Sequence, residues 1–139
     1  MTHENKIAPY ADLDKSRFML VSALRHYEKR LNDLASNKEI VQLENEIFKN
    51  YLVEAAKQAG IAADELRQDS REVATVAKEE KYKSIVKQAL TYYIADLSKS
   101  RDIIREKLGE DNPIIIPYEN ETKLAEILKQ SVSQATPSP

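Results

Sequence analysis

The side chains best suited to catalysis or metal binding are few in this sequence and badly spaced for either. Histidine occurs only as His3 and His26, and cysteine does not occur at all. Without thiols there is no disulfide, no thiolate ligand and no thiol nucleophile. An imidazole metal site needs a second ligand at suitable spacing, and His26 has no other His or Cys within reach of its helix face. The arginine-then-histidine spacing of helical ribonucleases is also missing. No catalytic, cofactor-binding or metal-binding residue is assigned.

Carboxylates are plentiful, with Glu44, Glu46 and Glu54 in one stretch and Glu79 and Glu80 in another. A di-metal helical bundle would need inward Glu-x-x-His pairs, and a helical nucleotide pyrophosphohydrolase would need a Glu-Glu-x-x-Glu cluster with its partner motif. Neither pattern occurs, and Glu79 with Lys83 four residues on reads as a solvated face carrying opposite charges. Lys78, Lys81, Lys83 and Lys87 crowd a segment that also holds Tyr82, Tyr92 and Tyr93. Lysines among aromatic rings can bind a single-stranded nucleic acid. Here Glu79 and Glu80 interrupt the patch and the tyrosines fall on an apolar face, so packing is the expected use. With a formal net charge of −2, long-range attraction to nucleic acid or to an acidic membrane is not expected of the whole molecule.

The elements that would carry these side chains are helical. A chain of 139 residues is one domain by size and can bury a substantial core, and its two glycines are too few for a hairpin-rich fold. From Arg71 to Leu108, Tyr82, Val86, Leu90, Tyr93, Leu97, Ile104 and Leu108 recur in steps compatible with one helix face. Asp69 and Glu72 offer a cap, and Gly109 with Pro113 a stop; unbroken, the helix would run roughly 55 Å. A first helix carries Leu20, Leu24, Tyr27, Leu31 and Leu34 behind a cap at Asp12 or Asp14. A second follows the Ser36/Glu39 capping box, carries Ile40, Leu43, Ile47, Phe48, Tyr51 and Leu52, and ends at Gly60. The segment from Ile61 to Gln68 is expected to form a short helix or turn.

The expected fold is all-α, an antiparallel bundle of three main helices at about 13–35, 38–59 and 70–108 plus a short C-terminal helix. Leu20, Leu24, Tyr27, Leu31, Ile47, Phe48, Leu52, Val86, Leu90, Tyr93 and Leu97 are its expected core. Residues 1–9 are expected to form a flexible arm, 10–130 the helical domain and 131–139 a disordered Ser/Gln/Thr/Pro tail. No apolar run is long enough for a signal peptide or membrane span, and a cytoplasmic protein is expected.

Short resemblances touch two segments. Arg17-Phe18-Met19-Leu20-Val21 resembles the opening of the main helix of the RNA polymerase omega subunit, which implies a polymerase-associated role. That family continues with Arg-Ala-x-Gln, whereas this chain continues with Arg25-His26-Tyr27-Glu28. The run from Glu54 to Leu66 resembles a helix-turn-helix around Gly60 and Ile61, and also the Gly-Ile linker in the helical domain of parvulin-type chaperones. Asp64 and Glu65 would face phosphates at the start of a recognition helix, and no isomerase domain follows.

The segment after Gly109 has a different character. Pro113-Ile114-Ile115-Ile116-Pro117 is apolar between two prolines, which favours an extended path. Asn120 would then cap a short helix bearing Leu124, Ile127 and Leu128. Ile114, Ile115, Ile116, Tyr118, Leu124, Ile127 and Leu128 are expected either to meet a partner or to clamp the bundle. Ile103, Ile104 and Leu108 lie where the long helix outruns the first two and are expected to support self-association. The expected function is non-catalytic: an adaptor or regulatory protein that binds another protein and can form a homo-oligomer, without a cofactor. A nucleic-acid or polymerase-associated factor, and a bundle enzyme without His or Cys chemistry, are the alternatives.

Overall fold

The computed structural model describes residues 14–37, 39 and 46–134. Among the described residues the chain is all-α: α1 (Lys15–Ala35), α2 (Glu46–Gln68), the single turn α3 (Val73–Val76), α4 (Glu80–Leu108) and α5 (Ile115–Ser133). The expected arm at 1–9, the expected cap at Asp12, the expected first turns of the second helix at Ile40 and Leu43, and residues from 135 onward lie outside the described residues.

Asp14 starts α1 by accepting a hydrogen bond from the Arg17 backbone N–H at 2.8 Å. The chain then returns antiparallel. Arg17 donates to the Leu66 carbonyl, Arg25 pairs with Asp64, and Gly60 lies against Glu28. The inner face of α2 is Ala56, Ala59, Ala62, Ala63 and Leu66, so small side chains let the two backbones approach. Next, α4 runs parallel to α1, with the His26 and Tyr93 rings 5.3 Å apart and Arg30 paired to Asp96 at 2.6 Å. Finally α5 comes back along α4 and α1, burying Ala125, Leu128 and Val132 in the same core as Leu20, Leu24, Val86 and Leu90. The helices α1, α4 and α5 pack mutually, and α2 rests on α1.

Several expectations need correction. The second helix does not end at Gly60 but continues to Gln68, because Gly60 has an ordinary negative φ and its missing Cβ leaves room for the Glu28 carboxylate. The third helix does not start at 70. Asp69 accepts from the Arg71 backbone N–H rather than capping a helix, α3 forms one turn behind Glu72, and α4 begins after an extended Glu79. That detour turns Val73, Val76 and Ala77 inward, and no residue of helix-breaking type marks it in the sequence. At 29 residues α4 spans about 43 Å.

Ile47 and Phe48 are not core residues: they are 55% and 48% exposed. With Glu28 beside Gly60 in an antiparallel pair, Ala35 falls opposite about residue 53, so the first turns of α2 overrun α1. Tyr27, Leu52 and Leu97 are half-buried, and Leu20, Leu24, Leu31, Val86, Leu90 and Tyr93 are buried. The prolines around Ile114 to Ile116 do not hold that segment extended either. Pro117 is the third residue of α5, where a backbone N–H has no intrahelical partner to lose. Asn112 accepts from the Ile114 N–H at 2.9 Å and so begins the turn; Asn120 lies inside the helix. The C-terminal helix is 19 residues long and runs past 131, with Val132 wholly buried.

Two buried phenols tie the helices together and set an alkaline limit on stability. Burial and a hydrogen bond to Glu121 push the Tyr93 hydroxyl up, and burial with a hydrogen bond to Glu65 pushes Tyr82 up to about 12. Both groups are held neutral by the fold. Their contribution is complete below the ordinary tyrosine value of 10.0 and is lost as pH rises from there through the folded values. Urea midpoints are therefore expected to be flat from neutral pH to about 9.5 and to fall above 10. Tyr93→Phe should flatten that fall, and an unchanged slope in this variant would contradict the assignment.

Candidate interaction surfaces

The connection between α4 and α5 is built by local chemistry. Gly109 leaves α4 with φ 102° and ψ 155°, a conformation essentially reserved for glycine. Arg105 fastens the hairpin, reaching Glu119 of α5 at 3.0 Å and Glu110 in the connection at 3.6 Å. Higher up, the Tyr93 hydroxyl donates to Glu121 at 2.8 Å. These bonds fix the start of α5 in rotation, which decides which isoleucines face out.

The segment named from the sequence is divided by that rotation. Ile115 and Leu128 are turned inward, each 4% exposed, while Tyr118 and Leu124 are half-buried. Ile114, Ile116 and Ile127 point to solvent at 50%, 56% and 65% exposure. Leu108 and Ile103 are also exposed, and Ile104 is half-buried. Leu108, Ile114 and Ile116 are exposed around one connection, the α4–α5 tip, with Ile114 and Ile116 on either side of the buried Ile115. Ile127 stands about 16 Å along α5 from Ile116 and belongs to a different place on the surface.

Of the three rings in the lysine-rich segment only Tyr92 is exposed. Tyr82 and Tyr93 are buried, and Tyr92 stacks on Tyr27 at 5.7 Å with the Arg30 guanidinium 4.7 Å from its ring centre. Tyr82 and Tyr93 in this segment are therefore not free to stack on bases. Arg17, the first residue of the polymerase-like pentapeptide, is buried and bonded to backbone carbonyls at the end of α2. The helix-turn-helix-like run has no turn at all, since α2 passes straight through it.

One surface was not visible in the sequence. Each of α2 and α4 rests on α1, and they meet where the Tyr82 hydroxyl donates to Glu65 at 2.6 Å. Between them runs a groove of about 550 Å³, floored by Tyr27 and lined by Ala55, Ile61 and Ala62 on one side and Ile85 and Gln88 on the other. Across Ser84 and Gln88 it adjoins a second hollow of about 500 Å³ that includes Lys83, Lys87 and Tyr92. The signal for it, alanines and a glutamine recurring on one flank of α2, is indistinguishable in sequence from an ordinary half-buried face.

No three His, Asp or Glu side chains converge as a metal site among the described residues, and none of their helices is long and apolar enough to cross a membrane. Comparison of this chain with protein families, with curated proteins and with solved structures gives no match.

Proposed function

We propose that the chain is a non-catalytic helical protein that works by binding another protein, with the α4–α5 tip as a contact surface. The supporting observation is the division within α5. The helix has already placed Ile115, Ala125, Leu128 and Val132 against the bundle, yet Leu108, Ile114 and Ile116 remain about half exposed at a corner spanned by the Arg105–Glu119 ion pair. Large apolar side chains grouped at one corner favour association over solvation. A preformed corner also loses little entropy on binding.

The test is Leu108→Asp with Ile116→Asp, compared with the unaltered chain by light scattering and by cross-linking in native extract. Both substitutions sit on the surface, so the melting temperature should hold within about 2 °C. The expected result is loss of a specific cross-linked partner, which is a second copy if the unaltered chain scatters as a dimer. An identical cross-linking pattern in the variant would remove the tip from the proposal.

A further inference from the structure

We propose that the groove between α2 and α4 receives an amphipathic helix of a partner protein whose flank towards α4 is acidic. The inference deepens the protein-binding reading above but uses a different surface. Its floor is apolar and its α2 wall is low, because Ala55 and Ala62 leave room where larger side chains would close the gap. From Lys81 to Tyr92 the α4 wall extends about 16 Å, three turns of helix. A helix laid there would touch α1, α2 and α4 together, the contact environment of a bundle member.

Charge selects the occupant. On the α2 side Glu65 already accepts from Tyr82 at 2.6 Å and Glu54 accepts from Gln58 at 2.9 Å. On the α4 side Lys83 and Lys87 line the adjoining hollow and form no ion pair among the described residues. Of the α4 ammonium groups, Lys81 already reaches Glu65 at 4.0 Å, whereas the charges of Lys83 and Lys87 are uncompensated, so acids on the α4 flank of an incoming helix meet complementary charge there. Glu80 at the rim and the internal stacking of Tyr92 disfavour a nucleic acid strand in the same place.

Three synthetic helical peptides test the proposal in nuclear magnetic resonance titrations of the labelled full chain. Two share a Leu/Ala ridge and differ in carrying Glu or Lys on both flanks; the third keeps Glu but has Ser in place of the ridge leucines. The Glu-flanked peptide should shift the amides of Ala55, Ile85 and Gln88 and bind roughly tenfold tighter than the Lys-flanked one, the effect of two or three exposed ion pairs. That preference should shrink in high salt and invert in the Lys83→Glu, Lys87→Glu double variant. Ala55→Gln, which fills the low α2 wall without changing charge, should weaken both peptides, and unchanged melting of each variant keeps the comparison valid.

Equal affinity for the two charge types, retained binding of the Ser-ridge peptide, or shifts that avoid the groove would overturn the proposal. So would tighter displacement of the same amides by oligothymidine, or their burial in a homodimer. Failure of the groove with loss of partner capture by the tip variant would leave the protein-binding reading standing and end only the groove.

Discussion

Cutting the chain after Asn112 is expected to abolish cooperative folding. The cut removes Ala125, Leu128 and Val132 from a core they share with α1 and α4, together with the buried Ile115, all at most 4% exposed. Burial of side chains the size of Ile, Leu and Val is worth about 1.5–3 kcal/mol each, so three of them approach the 5–15 kcal/mol that holds a typical domain together. The loss is compounded on the other side of the interface, where apolar faces of α1 and α4 would become wet. Circular dichroism of the shortened chain should show reduced helix with no sharp thermal transition. A melting temperature equal to that of the full chain would mean that α5 does not complete the core. Because this cut destroys the scaffold, point changes at Leu108 and Ile116 are the proper probe of binding at the tip.

Arg17→Ala is expected to cost about 3 kcal/mol, the largest effect of any single polar side chain here. Its side chain is buried, and its guanidinium donates to the carbonyls of Leu66 and Arg71. Leu66 lies in the last turn of α2, where carbonyls have no intrahelical donor, and a cation also suits the negative end of the helix dipole. Hydrogen bonds from a charged donor contribute about 1.5–3 kcal/mol, and their removal leaves the buried Leu66 carbonyl without a donor. Arg17→Lys should recover only part of the loss, because one ammonium cannot reproduce the planar fork. Urea midpoints of the three proteins measure this directly. A midpoint unchanged in Arg17→Ala would show that the guanidinium does not cap α2.

The same residue shows why sequence resemblance at this length carries little. Arg17-Phe18-Met19-Leu20-Val21 fits the opening of a polymerase-subunit helix, but the pattern only states that a cation precedes an apolar stripe. In this fold that cation faces inward and closes the end of another helix.

Local pattern alone determined the helical class, the inward faces of α1 from Leu20 to Leu31 and of α4 from Tyr82 to Tyr93, and, through Gly109, the stop; the same stripes run on to the exposed Leu34 and Leu108. Each depends on interactions within a few turns: apolar residues three and four apart define a face, and a glycine tolerates the backbone angles that end a helix. What only tertiary structure decided involves choices that are locally near neutral. Gly60 can end a helix or let one pass close to a neighbour, and here α2 passes through it with the Glu28 carboxylate against the place a Cβ would take. The sequence around Ala77 and Lys78 would continue a helix, but Val73, Val76 and Ala77 reach the core only if the chain turns there. Pro117 breaks a helix interior and is tolerated in a first turn, and docking of Leu128 and Val132 made it a first turn. Ile47 and Phe48 repeat with the right period yet extend beyond the helix that would cover them, because periodicity gives the direction of a face and not the length of its neighbour.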